Sequence, residues 1–197
     1  MASRPIIYVN RITNLSDARY CAGMGVDMLG FVVTQSHPDY VSPVQFQEIM
    51  GWVSGPRRVA EIIDWESVNV EEVISQYSPD LLHISITKAT TNKLPSFPLI
   101  LELSLEIWHF LQSKIQNDAT KIEYVFLTEI PKNTDSLNEI EPRNYPLLLP
   151  VSENERSILE LQNKSGVSGF VLQGSAELKP GLKDYDHLSR ILESLDL

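Results

Sequence analysis

Short runs of β-branched and aliphatic residues alternate with longer amphipathic stretches along the whole chain, the pattern of strand–helix units repeated around a parallel sheet. Eight runs read as strands: Ile6–Asn10, Met28–Val33, Arg58–Ile63, Leu81–Ile84, Leu99–Leu103, Glu123–Thr128, Pro146–Leu149 and Gly169–Leu172. Between them, helices are predicted over Asp17–Gly25, Pro43–Val53, Val70–Gln76, Leu105–Gln116, Glu153–Asn163 and Asp184–Leu195. Ser16, Ser104 and Ser152 stand where an N-cap is needed. Thr87–Pro98 and Ile130–Tyr145 hold prolines and polar residues with little helical period, so helices four and six are expected to be shortened or replaced by loops.

Eight such units in one chain predict a single α/β domain over residues 1–197, a compact (β/α)8 barrel. An open doubly wound sheet is the other arrangement of the same units. Its first strand would run into a glycine-rich turn, where this chain has Asn10-Arg11-Ile12-Thr13-Asn14. A barrel of 197 residues sits near the lower size limit of roughly 200, which agrees with reduced connections. No longer repeat, low-complexity tract or linker marks a second domain.

Charge and cysteine content restrict the partners. With 26 acidic against 16 basic residues, a net charge of −10 and no Lys/Arg run, the chain is not expected to bind nucleic acid or an anionic membrane surface. No apolar stretch is long enough to span a bilayer. The lone Cys21 allows neither an internal disulfide nor a thiol metal site, and it reads as a buried, inert thiol in the first helix. A cytosolic protein without a cofactor is expected, and a small-molecule ligand or a protein partner is left open.

In a barrel the C-terminal strand ends carry the chemistry. Here they offer Asn10, Arg11, Asp64, His83, Glu102, Thr128 and Gln173. His83 with Asp64 or Glu102 could make a carboxylate-oriented base or half a metal site. One histidine among scattered carboxylates lacks ligand spacing, so the plainer reading has His83 hydrogen-bonding locally at a strand end. Lys183-Asp184 reads as structural, with a turn at Pro180-Gly181 and Asp184 capping the last helix. Trp52, Trp65 and Trp108 read as packing or surface residues.

Three stretches carry a family resemblance. Ile12 to Pro43 contains Gly30-Phe31-Val32 and Tyr40-Val41-Ser42-Pro43; Asp80-Leu81-Leu82-His83 falls at the fourth strand; Glu177-Leu178-Lys179-Pro180-Gly181-Leu182-Lys183-Asp184 falls between the last strand and the last helix. Together they resemble the phosphoribosylanthranilate isomerases of tryptophan biosynthesis, which are (β/α)8 barrels. That resemblance implies an Amadori rearrangement of N-(5-phosphoribosyl)anthranilate, with a cysteine base at the end of the first strand and an aspartic acid at the end of the sixth.

Residue by residue, the resemblance puts Asn10 at the base position and Thr128 at the acid position. An amide does not titrate near neutrality, and a hydroxyl is too weak an acid to replace a carboxylic acid. Asp39 stands where the family keeps an arginine on the anionic substrate, and Pro150-Val151-Ser152 where it keeps a Gly-Gly pair on the phosphate. Gln173-Gly174-Ser175 retains some phosphate-loop character. The expected function is an isomerase-like barrel that is catalytically degenerate for this reaction. The alternatives are an isomerase with displaced catalytic groups, or an enzyme of another reaction using His83 and strand-end carboxylates; the substrate-binding candidates are Arg11, Asp39, Asp64, His83, Glu102, Gln173, Gly174 and Ser175.

Overall fold

The structure, a computed structural model, describes residues 4–88, 94–115, 121–131, 145–151, 161, 167–174, 177–179, 182–183 and 186–194. Eight strands close in chain order into a barrel, every neighbouring pair parallel. They are β1 (Ile6–Asn10), β2 (Met28–Val32), β3 (Arg57–Ile62), β4 (Leu81–Ile86), β5 (Leu99–Leu103), β6 (Ile122–Leu127), β7 (Leu147–Pro150) and β8 (Val167–Gln173). All eight expected strands are present, β1 and β5 with the expected bounds and the others with ends moved by one or two residues. The closing seam runs from Ile6 opposite Gly169 to Asn10 opposite Gln173. Gly169 permits it, because a Cβ there would overlap the Ile6 carbonyl oxygen.

Around the barrel lie α1 (Leu15–Gly23), α2 (Pro43–Met50), α3 (Val70–Tyr77), α4 (Leu105–Ile115) and α5 (Asp186–Ser194), with a 3-10 turn at Trp65–Ser67. The N-cap of α1 is Asn14, not Ser16: its side chain accepts from the Asp17 N–H at 3.0 Å, so the helix starts two residues earlier than expected. Ser104 does cap α4, its hydroxyl 3.3 Å from the Ile107 N–H. Helix α2 stops at Met50, with Gly51 as its C-cap, short of Val53. The described parts of Thr87–Pro98 contain no helix. The expected Glu153–Asn163 helix, apart from Leu161, and the caps Ser152 and Asp184 lie outside the described residues. A small antiparallel pair, β9 (Glu177–Lys179) and β10 (Leu182–Lys183), forms where the sequence suggested only a turn leading into a helix.

Two cores follow from the period of two along each strand. Outward-facing residues such as Ile7, Leu29, Ile62, Leu82, Leu101 and Leu149 pack in the larger core with the helices, where Cys21 is also buried. The barrel interior holds Tyr8, Met28, Val59, Leu81, Ile100, Phe126, Leu148 and Val171. This layer decides what comes next. Two residues further along the same strands stand Asn10, Gly30, Glu61, His83, Glu102, Pro150 and Gln173, so a polar layer caps the apolar one at the C-terminal end. Among the described residues no helix is long and apolar enough to cross a membrane.

Candidate functional site

His83 is the centre of this polar layer. It is buried at 4% exposure, between the Tyr8 hydroxyl, 2.9 Å from Nδ1, and the Glu102 carboxylate, whose Oε2 lies 3.2 Å from Nε2. Nε2 stays off hydrogen-bonding alignment despite that separation. Burial opposes the imidazolium, but the contact and charge of Glu102 outweigh it and raise the His83 pKa above its ordinary value. With the ring protonated, Nδ1–H donates to the Tyr8 oxygen and Nε2–H faces the carboxylate. Burial likewise works against ionised Glu102, yet His83 holds that carboxyl below the ordinary range. Both ring nitrogens are thus taken up within the cluster, Nδ1 by the phenol and Nε2 facing the carboxylate.

Glu61 completes the cluster. Its carboxylate accepts the Arg11 N–H at 2.7 Å, and burial raises its pKa against the opposing effects of His83 and that hydrogen bond. Burial also pushes the Tyr8 phenol well above its ordinary value, helped by the charges of Glu61 and Glu102. Arg11 makes the bond to Glu61 from a left-handed backbone, φ 55°. Gly30 leaves the room, since a Cβ there would overlap Glu61 Oε1 and the Tyr8 hydroxyl. A cavity of about 20 Å³ remains above the cluster, bounded by Asn10, Arg11, Glu61, His83, Ser85 and Glu102, enough for about one water molecule.

The fold thus brings Asn10, Arg11, His83 and Glu102 together and leaves other candidates outside. Asp64 is exposed beyond the end of β3 and lines two neighbouring hollows, so it does not partner His83. Asp39 sits against His37, its N–H donating to Nδ1 at 3.1 Å, and does not line the mouth cavity. Thr128, just past β6, is exposed, its N–H bonded to the Leu103 carbonyl at 3.1 Å. Gln173 is exposed opposite Asn10, and the Gly174 N–H donates to the Asn10 carbonyl at 2.9 Å. Ser175 lies outside the described residues. Among those residues no group of three His, Cys, Asp or Glu side chains could hold a metal ion.

Sequence reasoning missed Glu61 and Tyr8. Tyr8 sits one layer below the strand-end groups, and Glu61 stands among them. For Glu61 the available signal was a single carboxylate at alternate spacing from Val59 in the apolar half of β3, which places it on the same face as the barrel core.

No protein-family model and no curated protein matches the sequence. Solved structures do match. The phosphoribosylanthranilate isomerase of Thermotoga maritima superposes with a TM-score of 0.71 at 18% identity, covering 98% of each chain. An isomerase in complex with reduced 1-(o-carboxyphenylamino)-1-deoxyribulose 5-phosphate gives the same values. The isomerase of Thermus thermophilus gives 0.70 at 16% identity, over 97% of this chain and 98% of its own. This chain has the fold of these isomerases. Asn10 is the last residue of β1 and Thr128 the first beyond β6.

Proposed function

We propose that this chain is a phosphoribosylanthranilate isomerase-like single-domain protein of the cytosol that does not carry out the Amadori rearrangement and uses its mouth to bind a ligand. The observation that carries this reading is the pairing of His83 with Tyr8 and Glu102 beneath Asn10. The rearrangement needs a base and an acid of separate pKa placed over an open site. Here the amide of Asn10 offers no base, Thr128 offers no acid, and the histidine below is engaged by Tyr8 and Glu102 under a cavity the size of one water. The buried Cys21 suits a reducing compartment.

A second reading rests on Glu102, the member of the cluster with an accessible edge, 23% exposed at its side chain and held ionised by His83. It would be the base of a different reaction. Complementation separates the two from the family activity. Expression is expected to leave a tryptophan auxotroph lacking the isomerase unrescued, and purified protein to show no turnover of phosphoribosylanthranilate. Rescue at the level of an ordinary isomerase gene would overturn the proposal. The Asn10→Cys, Thr128→Asp double variant, assayed alongside, is expected to gain detectable turnover if the scaffold still admits the substrate.

A further inference from the structure

Arg11 follows β1 with φ 55°, a backbone conformation that suits glycine and costs an arginine free energy. Strain of this kind gathers at sites of function, where the surroundings over-determine it. The turn is pinned on several sides. The Arg11 N–H donates to Glu61 at 2.7 Å, the Ile12 N–H to the Gly30 carbonyl at 2.8 Å, and the Gly174 N–H to the Asn10 carbonyl at 2.9 Å. None of these bonds uses the Arg11 side chain, so a glycine at position 11 would keep them all. What an arginine adds here is its guanidinium.

That side chain belongs to a half-buried residue bordering the mouth cavity, and among the described residues no ion pair or hydrogen bond engages it. Its positive charge lowers the proton affinity of Tyr8, Glu61, His83 and Glu102 alike, which places it close to the whole cluster and not out on the barrel's flank. The acceptors of that cluster are taken. Glu61 holds the Arg11 N–H and the Tyr8 phenol, while Glu102 faces His83 and the Ser85 hydroxyl. Five N–H donors are therefore left for an incoming acceptor, in a planar fork that matches the two oxygens of a carboxylate. Phosphate is the poorer match. With Glu61, Glu102 and Asp64 at this end of the barrel and a net charge of −10, a dianion is repelled more than a monoanion.

We propose that the Arg11 guanidinium is the docking point of the barrel mouth for a small monocarboxylate, gripped by its paired N–H donors. The ligand lies outside the cavity of about 20 Å³, which has room for about one water, and leaves the contacts of His83 as they are. The assignment gives a chemical class to the ligand-binding reading above and rests on it.

The test is a titration of the full-length protein with benzoate, with benzamide as its neutral isostere, and with inorganic phosphate, each to roughly 50 mM at constant ionic strength. Binding is followed by the Nε–H resonance of Arg11, assigned by its absence from Arg11→Gly, and by the signals of the ligand. Benzoate is expected to shift the resonance and saturate with a Kd of about 1–10 mM, and benzamide and phosphate to bind at least about tenfold more weakly. Arg11→Gly is expected to melt no lower than the wild type yet to lose at least about tenfold in benzoate affinity. Arg11→Lys, which keeps the charge without the fork, is expected to fall between the two. No saturable response to benzoate overturns the site, as do equal binding of benzamide, tighter binding of phosphate, or undiminished binding by Arg11→Gly. Turnover of phosphoribosylanthranilate would sink the reading of the mouth as inactive, a result distinct from any outcome of the benzoate titration.

Discussion

Glu61 occupies the space that a side chain at Gly30 would need. Gly30 pairs with Val59 in the β2–β3 register and Glu61 stands two residues further along β3, and a Cβ on Gly30 would overlap both Glu61 Oε1 and the Tyr8 hydroxyl. The glycine is therefore part of the polar cluster, although it contributes no polar side chain to it.

Gly30→Ala is expected to destabilise the protein by about 1–3 kcal/mol, since the added methyl must displace a carboxylate hydrogen-bonded to Arg11 and a phenol hydrogen-bonded to His83. Gly23→Ala is the control. It sits at the end of α1 with nothing within 4 Å of a new Cβ, and is expected to be neutral or stabilising by up to about 1 kcal/mol. Urea denaturation of the two variants makes the comparison, and equal effects would refute a packed role for Gly30.

Arg11 holds a left-handed backbone conformation that favours glycine, at the turn where β1 leaves the barrel. Replacing it with glycine is expected to leave stability unchanged or raise it by up to about 1 kcal/mol, because the backbone N–H that bonds Glu61 is retained. Arg11→Val is expected to cost about 1–2 kcal/mol, as a β-branched residue tolerates positive φ poorly. Thermal melting of both variants checks the order.

The His83 pair predicts a pH dependence. Burial lowers the imidazole's affinity for its proton, but Glu102 outweighs it, so the folded pKa lies above the unfolded value of 6.5. That contribution is present in full below about pH 6.5 and is lost as pH rises through the folded pKa. Glu102, held low by His83 against burial, adds stability above about pH 4.5 that is lost as pH falls through its folded pKa. Glu61 acts in the opposite sense, its share being present below about pH 4.5 and lost as pH rises through its raised pKa. Stability measured by urea titration is expected to decline as pH rises above about 6.5, and His83→Gln to flatten that decline. A variant whose alkaline slope matches the wild type would exclude the charged pair.

Much of the fold was legible because hydrophobic patterning is local: the apolar runs Ile6 to Asn10 and Leu81 to Ile86 mark buried strands whatever the rest of the chain does. The sequence by itself thus determined eight strands and their parallel wrapping with helices between them. Tertiary structure decided which strand-end groups meet. His83 pairs with Glu102 and Tyr8 and not with Asp64, because Glu102 on β5 shares its layer and the Tyr8 hydroxyl reaches it from the layer below, while Asp64 is exposed beyond β3. Depth along the barrel axis is set by the stagger between strands, a property of pairs far apart in sequence. No single strand encodes it. For the same reason Glu61 could be read as a lone acid in β3 but not as the acceptor of the Arg11 N–H, a contact made across 50 residues of chain.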